Sequence, residues 1–291
     1  MVDDLVARRI ITTPSVERAF RRVARDEFLP RPFLLPNDPL LTGVAATDDP
    51  RRVYADTLVV LKQEKLINSG TPSVVAAQIE LLCLLEGMRV LHVGTGSGYY
   101  TAILAEIVGE RGSVIGIEFE PDLAALSAHF LARAGYTNVT VQQGDGACGV
   151  PEAAPFDRIL ASAGAADIVP AWVEQLDDGG RIVLPFCQIS QLAPRVTGGV
   201  LLSVEKAGGD LMGSFSSMSV LFVGMQGVLA PQADDGAFFD AVQRWFALED
   251  FLRVQLPIRI VLKAAAPGRT VPAGVFWSHE TPNALMWIEP E

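Results

Sequence analysis

The chain reads as an α/β protein: a mostly parallel central sheet flanked by helices, preceded by an N-terminal helical cap and followed by a C-terminal α+β extension. Three observations predict this. Short apolar runs alternate with helix-length segments from residue 72 to about residue 190. One of those runs passes directly into the glycine-rich turn Gly94-Thr95-Gly96-Ser97-Gly98. Acidic residues stand at or just after the ends of the next two strand-like runs. With 49% of its 291 residues apolar, the chain has enough material to bury both faces of such a sheet.

The elements follow in order. Val16, Ala19, Phe20 and Val23 recur at helical spacing with Glu and Arg between them, which predicts a helix within a cap over residues 1–50. The stretch Phe28-Leu29-Pro30-Arg31-Pro32 ends it, because proline lacks an N–H and restricts the residue before it. Residues 34–56, rich in Pro, Asp and Thr, read as an irregular connection. Pro72 suits the first turn of a helix running to about Leu85.

Then come a strand at 89–93, a turn at 94–98, a helix at 100–108, a strand at 113–118 and a helix at 123–134. Further strands are expected at 139–143, 158–162 and 181–185, joined by right-handed crossovers. Beyond 186, runs at 200–204, 256–262 and 284–288 predict closing antiparallel strands or a small subdomain. The expected division is a cap with the loop that follows it over 1–71, a parallel-sheet core over 72–190, and a C-terminal extension over 191–291.

Composition excludes several classes of function. Mean hydropathy is +0.30, yet the richest apolar stretches, 79–85 and 220–223, fall far short of the roughly 20 residues a spanning helix needs. The start, Met1-Val2-Asp3-Asp4, is acidic and no apolar segment follows, so a cytoplasmic protein is expected. Cys83, Cys148 and Cys187 are scattered, which is neither a disulfide framework nor a metal cluster. A net charge of −11 opposes general affinity for a nucleic acid backbone, and the doublets Arg8-Arg9 and Arg21-Arg22 read as solvated helix faces.

The chemistry concentrates at the strand ends. Glycine admits close approach of a ligand at the 94–98 turn. Glu118, followed by Phe119, ends the next strand at the spacing where dinucleotide folds place a ribose-binding acid. Gly144-Asp145-Gly146 follows the third strand, where a carboxylate can accept from an adenine amino group. The dinucleotide fingerprint is GxGxxG, whereas the third glycine here comes one residue early. That favours S-adenosyl-L-methionine, with S-adenosyl-L-homocysteine as product, on a Rossmann-like core.

At this point the chain resembles the protein L-isoaspartate O-methyltransferases, in particular the actinobacterial type with a C-terminal extension. The resemblance covers roughly residues 14–190. It is carried by Val16-Glu17-Arg18-Ala19-Phe20, Arg25-Asp26-Glu27-Phe28-Leu29-Pro30, Tyr54-Ala55-Asp56, the 94–98 turn with Tyr99, Gly144-Asp145-Gly146, Pro155-Phe156-Asp157-Arg158-Ile159 and the 175–181 stretch. It implies a class I methyltransferase fold and carboxyl O-methylation of an isoaspartyl or aspartyl side chain, in a protein or in a peptide natural-product precursor.

Two departures stand out. The family normally carries an acid where this chain has His92, a position that helps hold the amino acid end of the cofactor. The family also places a serine or threonine two residues before Pro72, where this chain has Gly70. Ser69 or Thr71 is then expected to supply the hydroxyl next to the acceptor carboxylate, with Asn68, Gly70 and Tyr54 around it; both Ser69 and Thr71 are also suited to capping the following helix. As a lone strand histidine with no orienting partner visible in sequence, His92 makes a poor catalytic base.

Two alternatives remain open from sequence. One is a small-molecule acceptor in an aromatic pocket involving Phe222, Trp277 or Trp287; the other is a non-catalytic binding protein on the same fold. A peptide or protein partner and a monomer or homodimer are expected.

Overall fold

The computed structural model describes residues 1–38, 43–165, 168–190, 193–208 and 210–227, together with strand backbone at 258–262, 276–278 and 284–288. Two helices open the chain, α1 (Val2–Ala7) and α2 (Pro14–Arg22). The amphipathic spacing seen in sequence buries Val16, Ala19 and Phe20. The N-terminus of α2 is satisfied from elsewhere: the Glu80 carboxylate accepts from the Thr12 and Thr13 amides, at 3.0 Å each, and from both hydroxyls.

The cap is only partly helical, and the expected irregular connection at 34–56 is partly a small antiparallel sheet. Strands β1 (Phe33–Pro36), β2 (Val44–Thr47), β3 (Val60–Lys62) and β4 (Ile67–Asn68) pair in the order β2-β1-β3-β4. Phe33 and Leu35 are buried with Leu29, Val53 and Val59, while Leu34 and Pro36 are not. That period of two is a strand signal which the neighbouring prolines mask in sequence.

The main sheet begins after α3 (Pro72–Leu82). It comprises β5 (Arg89–Val93), β6 (Ser113–Glu118), β7 (Val139–Gln143), β8 (Phe156–Ala161) and β9 (Leu176–Ser190), connected through α4 (Tyr99–Val108), α5 (Pro121–Arg133) and α6 (Pro170–Gln175). Long strands β10 (Ala193–Ala207) and β11 (Asp210–Val223) follow, then β12 (Ile258–Leu262), β13 (Phe276–Ser278) and β14 (Ala284–Ile288). Among the described residues the order is β13-β14-β12-β11-β10-β9-β8-β5-β6-β7. Strands β5 to β9 pair in parallel, and from β9 outward the pairing is antiparallel.

Strands β5, β6 and β7 lie where the sequence places them, while β8 starts two residues early. β9 runs well beyond 181–185 because it pairs with β10 on its far side. α3 stops at Leu82 rather than Leu85, since Cys83 takes a left-handed conformation at φ 51°. The apolar run 79–85 conceals that end, as Leu84 is still buried but Leu85 is not.

Both faces of the sheet around β5 are covered. Leu91 and Val93 of β5 point to a core shared with Ile159, Ile182, Trp172 of α6 and Val200 of β10. Val90 points to the opposite core, built with α1, α2, α3 and α4. There α4 is almost wholly buried, and Phe20 meets Tyr99 edge to face at 6.5 Å. This packing fixes the N-terminus of α4 above the carboxyl ends of the strands, where α/β sheets bind ligands.

Candidate active site

The turn 94–98 carries the chain from β5 into α4. Gly98 is the N-cap residue at φ 92°. A β-carbon there would meet Ser127 Oγ at 2.7 Å, and any residue but glycine would be strained at this φ. The Gly96 amide donates to Glu118 Oε2 at 2.8 Å, and the Glu120 amide donates to Glu118 Oε1 at 3.1 Å. Glu118 is thus anchored at the end of β6 and 7% exposed. Burial pushes its pKa up, opposed by the amides of Gly96, Glu120 and Phe119. Each carboxylate oxygen keeps a lone pair for a ligand hydroxyl.

The next turn is tied to this one, because the Gly144 amide donates to the Glu118 carbonyl at 2.9 Å. Asp145 caps the short 3-10 turn Gly146–Cys148, accepting from the Ala147 amide at 2.9 Å. The Gly146 carbonyl accepts from the Trp172 indole at 2.8 Å. Phe119 is 37% exposed beside Glu118. Ser97 is buried, and Thr95 Oγ1 is buried with no hydrogen-bond partner among the described residues. An orphaned hydroxyl, an anchored carboxylate and a glycine-rich turn fit the hydroxyl-rich and zwitterionic parts of S-adenosylmethionine. The residues that would hold it are Gly94, Thr95, Gly96, Ser97, Gly98, Glu118, Phe119, Gly144, Asp145 and Gly146; His92, expected among them, is buried with both ring nitrogens engaged within the protein.

His92 lies on the opposite face of β5 from Leu91 and Val93. Its Nδ1 shares a hydrogen bond with Thr101 Oγ1 and its Nε2 one with Ser162 Oγ, both at 2.9 Å. Burial pushes its imidazole down to about 3. The ring is therefore neutral, with both nitrogens occupied. An unfolded histidine titrates near 6.5, so between that pH and about 3 the unfolded chain takes up a proton that the folded one refuses. Stability accordingly falls with pH across this window, by up to about 1.4 kcal/mol per pH unit. His92→Asn will flatten the slope of urea-derived stability between about pH 6 and about pH 4; equal slopes would show that the ring protonates in the folded state.

The acceptor loop reaches the same end of the sheet. Gly70 adopts φ 72°, and a β-carbon there would lie 3.0 Å from Val75 Cγ2 and 3.4 Å from Tyr100. A serine at this position would be strained, so a loop hydroxyl must come from a neighbour. Ser69 Oγ accepts from the Val59 amide at 2.9 Å and from Arg25 Nη2 at 3.2 Å. Asn68 Oδ1 accepts from the Gly70 amide at 2.9 Å. The Gly70 carbonyl accepts from the Tyr100 hydroxyl at 3.2 Å. Neither Ser69 nor Thr71 caps α3 through its side chain; Asp56 does so, accepting from the Ser73 amide at 2.8 Å. Tyr54 instead donates to Asp26 Oδ1 at 2.7 Å. Burial and that carboxylate push its phenol up to about 12.

Sequence reasoning misses the residue that assembles this loop. Arg25 is fully buried and donates to the carbonyls of Val53, Ala55, Thr57 and Gly70 as well as to Ser69. None of these partners is a carboxylate. Its place in Arg25-Asp26-Glu27-Phe28-Leu29-Pro30 is the only sequence signal. Phe222 packs with Cys187, Leu201 and Val220 against α3 rather than lining the crevice, and the side chains of Trp277 and Trp287 lie outside the described residues.

The family model for protein-L-isoaspartate(D-aspartate) O-methyltransferase matches residues 1–227. The chain belongs to that family. A relative from Korarchaeum cryptofilum, named protein-L-isoaspartate O-methyltransferase, is 35% identical over 78% of this chain and 96% of its own. One from Methanococcoides burtonii is 38% identical over 60% of this chain and 77% of its own. A solved protein-L-isoaspartate O-methyltransferase superposes with a TM-score of 0.65 at 22% identity, covering 100% of this chain and 88% of that one. A Plasmodium falciparum structure in complex with S-adenosyl-L-homocysteine gives 0.60 at 21% identity, over 77% and 96%. At these identities the superpositions establish the Rossmann-like methyltransferase fold. Within the family, the His92 and Gly70 departures are accounted for locally, by the Thr101–His92–Ser162 bridge and by the left-handed backbone of Gly70. No helix among the described residues is long and apolar enough to cross a membrane.

Proposed function

We propose that this protein transfers a methyl group from S-adenosylmethionine to the side-chain carboxylate of an isoaspartyl residue in a protein or peptide. The observation that carries the reading is the seating of loop 68–71 on the first turn of α4, immediately beyond the glycine turn, through Gly70 and Tyr100. Acceptor and donor subsites then share one wall.

When bound, S-adenosylmethionine supplies a methyl group on a sulfonium, ready for in-line displacement. A carboxylate acceptor is ionised at neutral pH, so orientation rather than proton removal is the demand on the protein. The neutral, doubly engaged His92 agrees with this. Both lone pairs of Ser69 Oγ are taken by Val59 and Arg25, which leaves its O–H proton as the group it offers an acceptor oxygen. Thr71 and the Asn68 amide stand beside it as further donors. The strap around Leu61, whose Cδ1 lies 3.5 Å from the β-carbon position of Gly96, packs against the glycine turn and would help to keep water from a bound donor. The scattered cysteines Cys83, Cys148 and Cys187 suit a reducing cytoplasm.

The test is S-adenosylhomocysteine release with an isoaspartyl peptide beside its aspartyl twin. Turnover of the isoaspartyl form is expected. Turnover of the twin alone would move the acceptor to ordinary aspartate, and silence with both, cofactor being bound, would move it to a small molecule.

A further inference from the structure

A second carboxylate next to the cofactor site has a different set of partners. Glu120, two residues after Glu118, is 3% exposed and precedes the first turn of α5. Its Oε2 accepts from Lys62 Nζ at 2.7 Å and from Lys65 Nζ at 2.8 Å; its Oε1 accepts from Lys65 Nζ at 2.6 Å and from Gln226 Nε2 at 3.2 Å. Lys62 also reaches Asp122 at 2.5 Å. Burial alone would raise the Glu120 pKa, but Lys62, Lys65 and Gln226 hold it at about 2, so the carboxylate is charged throughout the working range.

These partners come from two distant stretches, each lying on a turn of the cofactor crevice. Lys62 and Lys65 flank the strap whose Leu61 approaches Gly96. Gln226 belongs to residues 223–227, which leave β11 and cross the strand ends. There the Val223 carbonyl accepts from the Gly164 amide at 2.8 Å, and the Met225 amide donates to the Gly164 carbonyl at 2.9 Å. Met225 is buried, with Cε 3.7 Å from the β-carbon position of Gly146. Gly227 lies so close to Asp145 that a β-carbon would meet Oδ2 at 2.1 Å. The strap covers the first turn, the 223–227 segment covers the third, and both end on the same carboxylate.

We propose that Glu120 is a positioning residue of the cofactor site, a clasp holding residues 61–65 and 223–227 closed over the crevice, so that cofactor entry and product exit require its ion pairs to open. The inference rests on the cofactor reading above. It assigns the start of the C-terminal region to the donor side of the reaction.

The test is Glu120→Gln, which keeps the shape and removes the charge, with S-adenosylhomocysteine dissociation followed by stopped-flow and amide hydrogen exchange followed in the ligand-free protein. Charge-assisted hydrogen bonds at partly buried groups exceed neutral ones by enough to speed dissociation about tenfold. The wild-type rate should rise with ionic strength more steeply than that of the variant, which keeps only the Lys62–Asp122 pair, a difference that a general loss of packing would not produce. Exchange should rise in both segments together. The double variant Lys62→Met/Lys65→Met should reproduce the faster dissociation from the other side of the clasp. An unchanged dissociation rate in both variants overturns the clasp even if exchange increases. A wild-type protein that binds no S-adenosylhomocysteine overturns the cofactor reading itself, which the exchange data distinguish by still reporting on the closed segments.

Discussion

Glu118→Ala will weaken S-adenosylmethionine binding by about a hundredfold in isothermal titration. The carboxylate is the anchored acceptor at the end of β6, with the Gly96 and Glu120 amides already on its two oxygens. Hydrogen bonds from ligand hydroxyls to a charged group contribute about 1.5–3 kcal/mol each, and two of them at the lower end of that range correspond to roughly two decades of affinity. The same substitution leaves the Gly96 amide without its acceptor, so the glycine turn loosens as well. Glu118→Gln retains one acceptor oxygen and should fall between wild type and Glu118→Ala. Unchanged affinity in the alanine variant would remove Glu118 from the cofactor site.

Arg25→Met will destabilise the fold by about 4 kcal/mol in urea unfolding, since several buried carbonyls lose their donor at about 1–3 kcal/mol each. The arginine is fully buried, and four carbonyls and the Ser69 hydroxyl depend on it. Methionine fills the volume but supplies no donor, and buried carbonyls left without one carry the full desolvation cost. Arg25→Lys keeps the charge without the planar fork, so it should recover only part of the loss. A change below about 1 kcal/mol for the methionine variant would mean that water replaces the guanidinium and that the loop around Ser69 is not held from below.

The catalytic half of the sheet is legible in sequence because each parallel strand is a short apolar run followed by a turn. β5, β6 and β7 needed nothing else. The edge of α3 was not legible, since the run through Leu82, Leu84 and Leu85 has no periodic break and the left-handed Cys83 is not a residue type that announces a helix end. The small sheet was hidden by prolines around Phe33 and Leu35. Of the site, the glycine turn, Glu118 and Asp145 could be named because geometry at a strand end constrains residue type. Lys62, Lys65, Glu120 and Arg25 could not, because a charged side chain reads as solvated until its partners are known.

The sequence by itself determined the α/β order of elements, the position of the glycine turn and, through its ordered set of motifs, the family. Only the tertiary structure decided that His92 is a neutral bridge between α4 and the end of β8, that Gly70 must be glycine, and that helix ends are capped by Glu80 and Asp56 from elsewhere in the chain. The physical reason is common to all three. Local pattern records which residues prefer a strand, helix or turn, whereas the protonation of a buried ring, the strain at one φ angle and the satisfaction of an orphan amide depend on atoms brought in from distant parts of the chain.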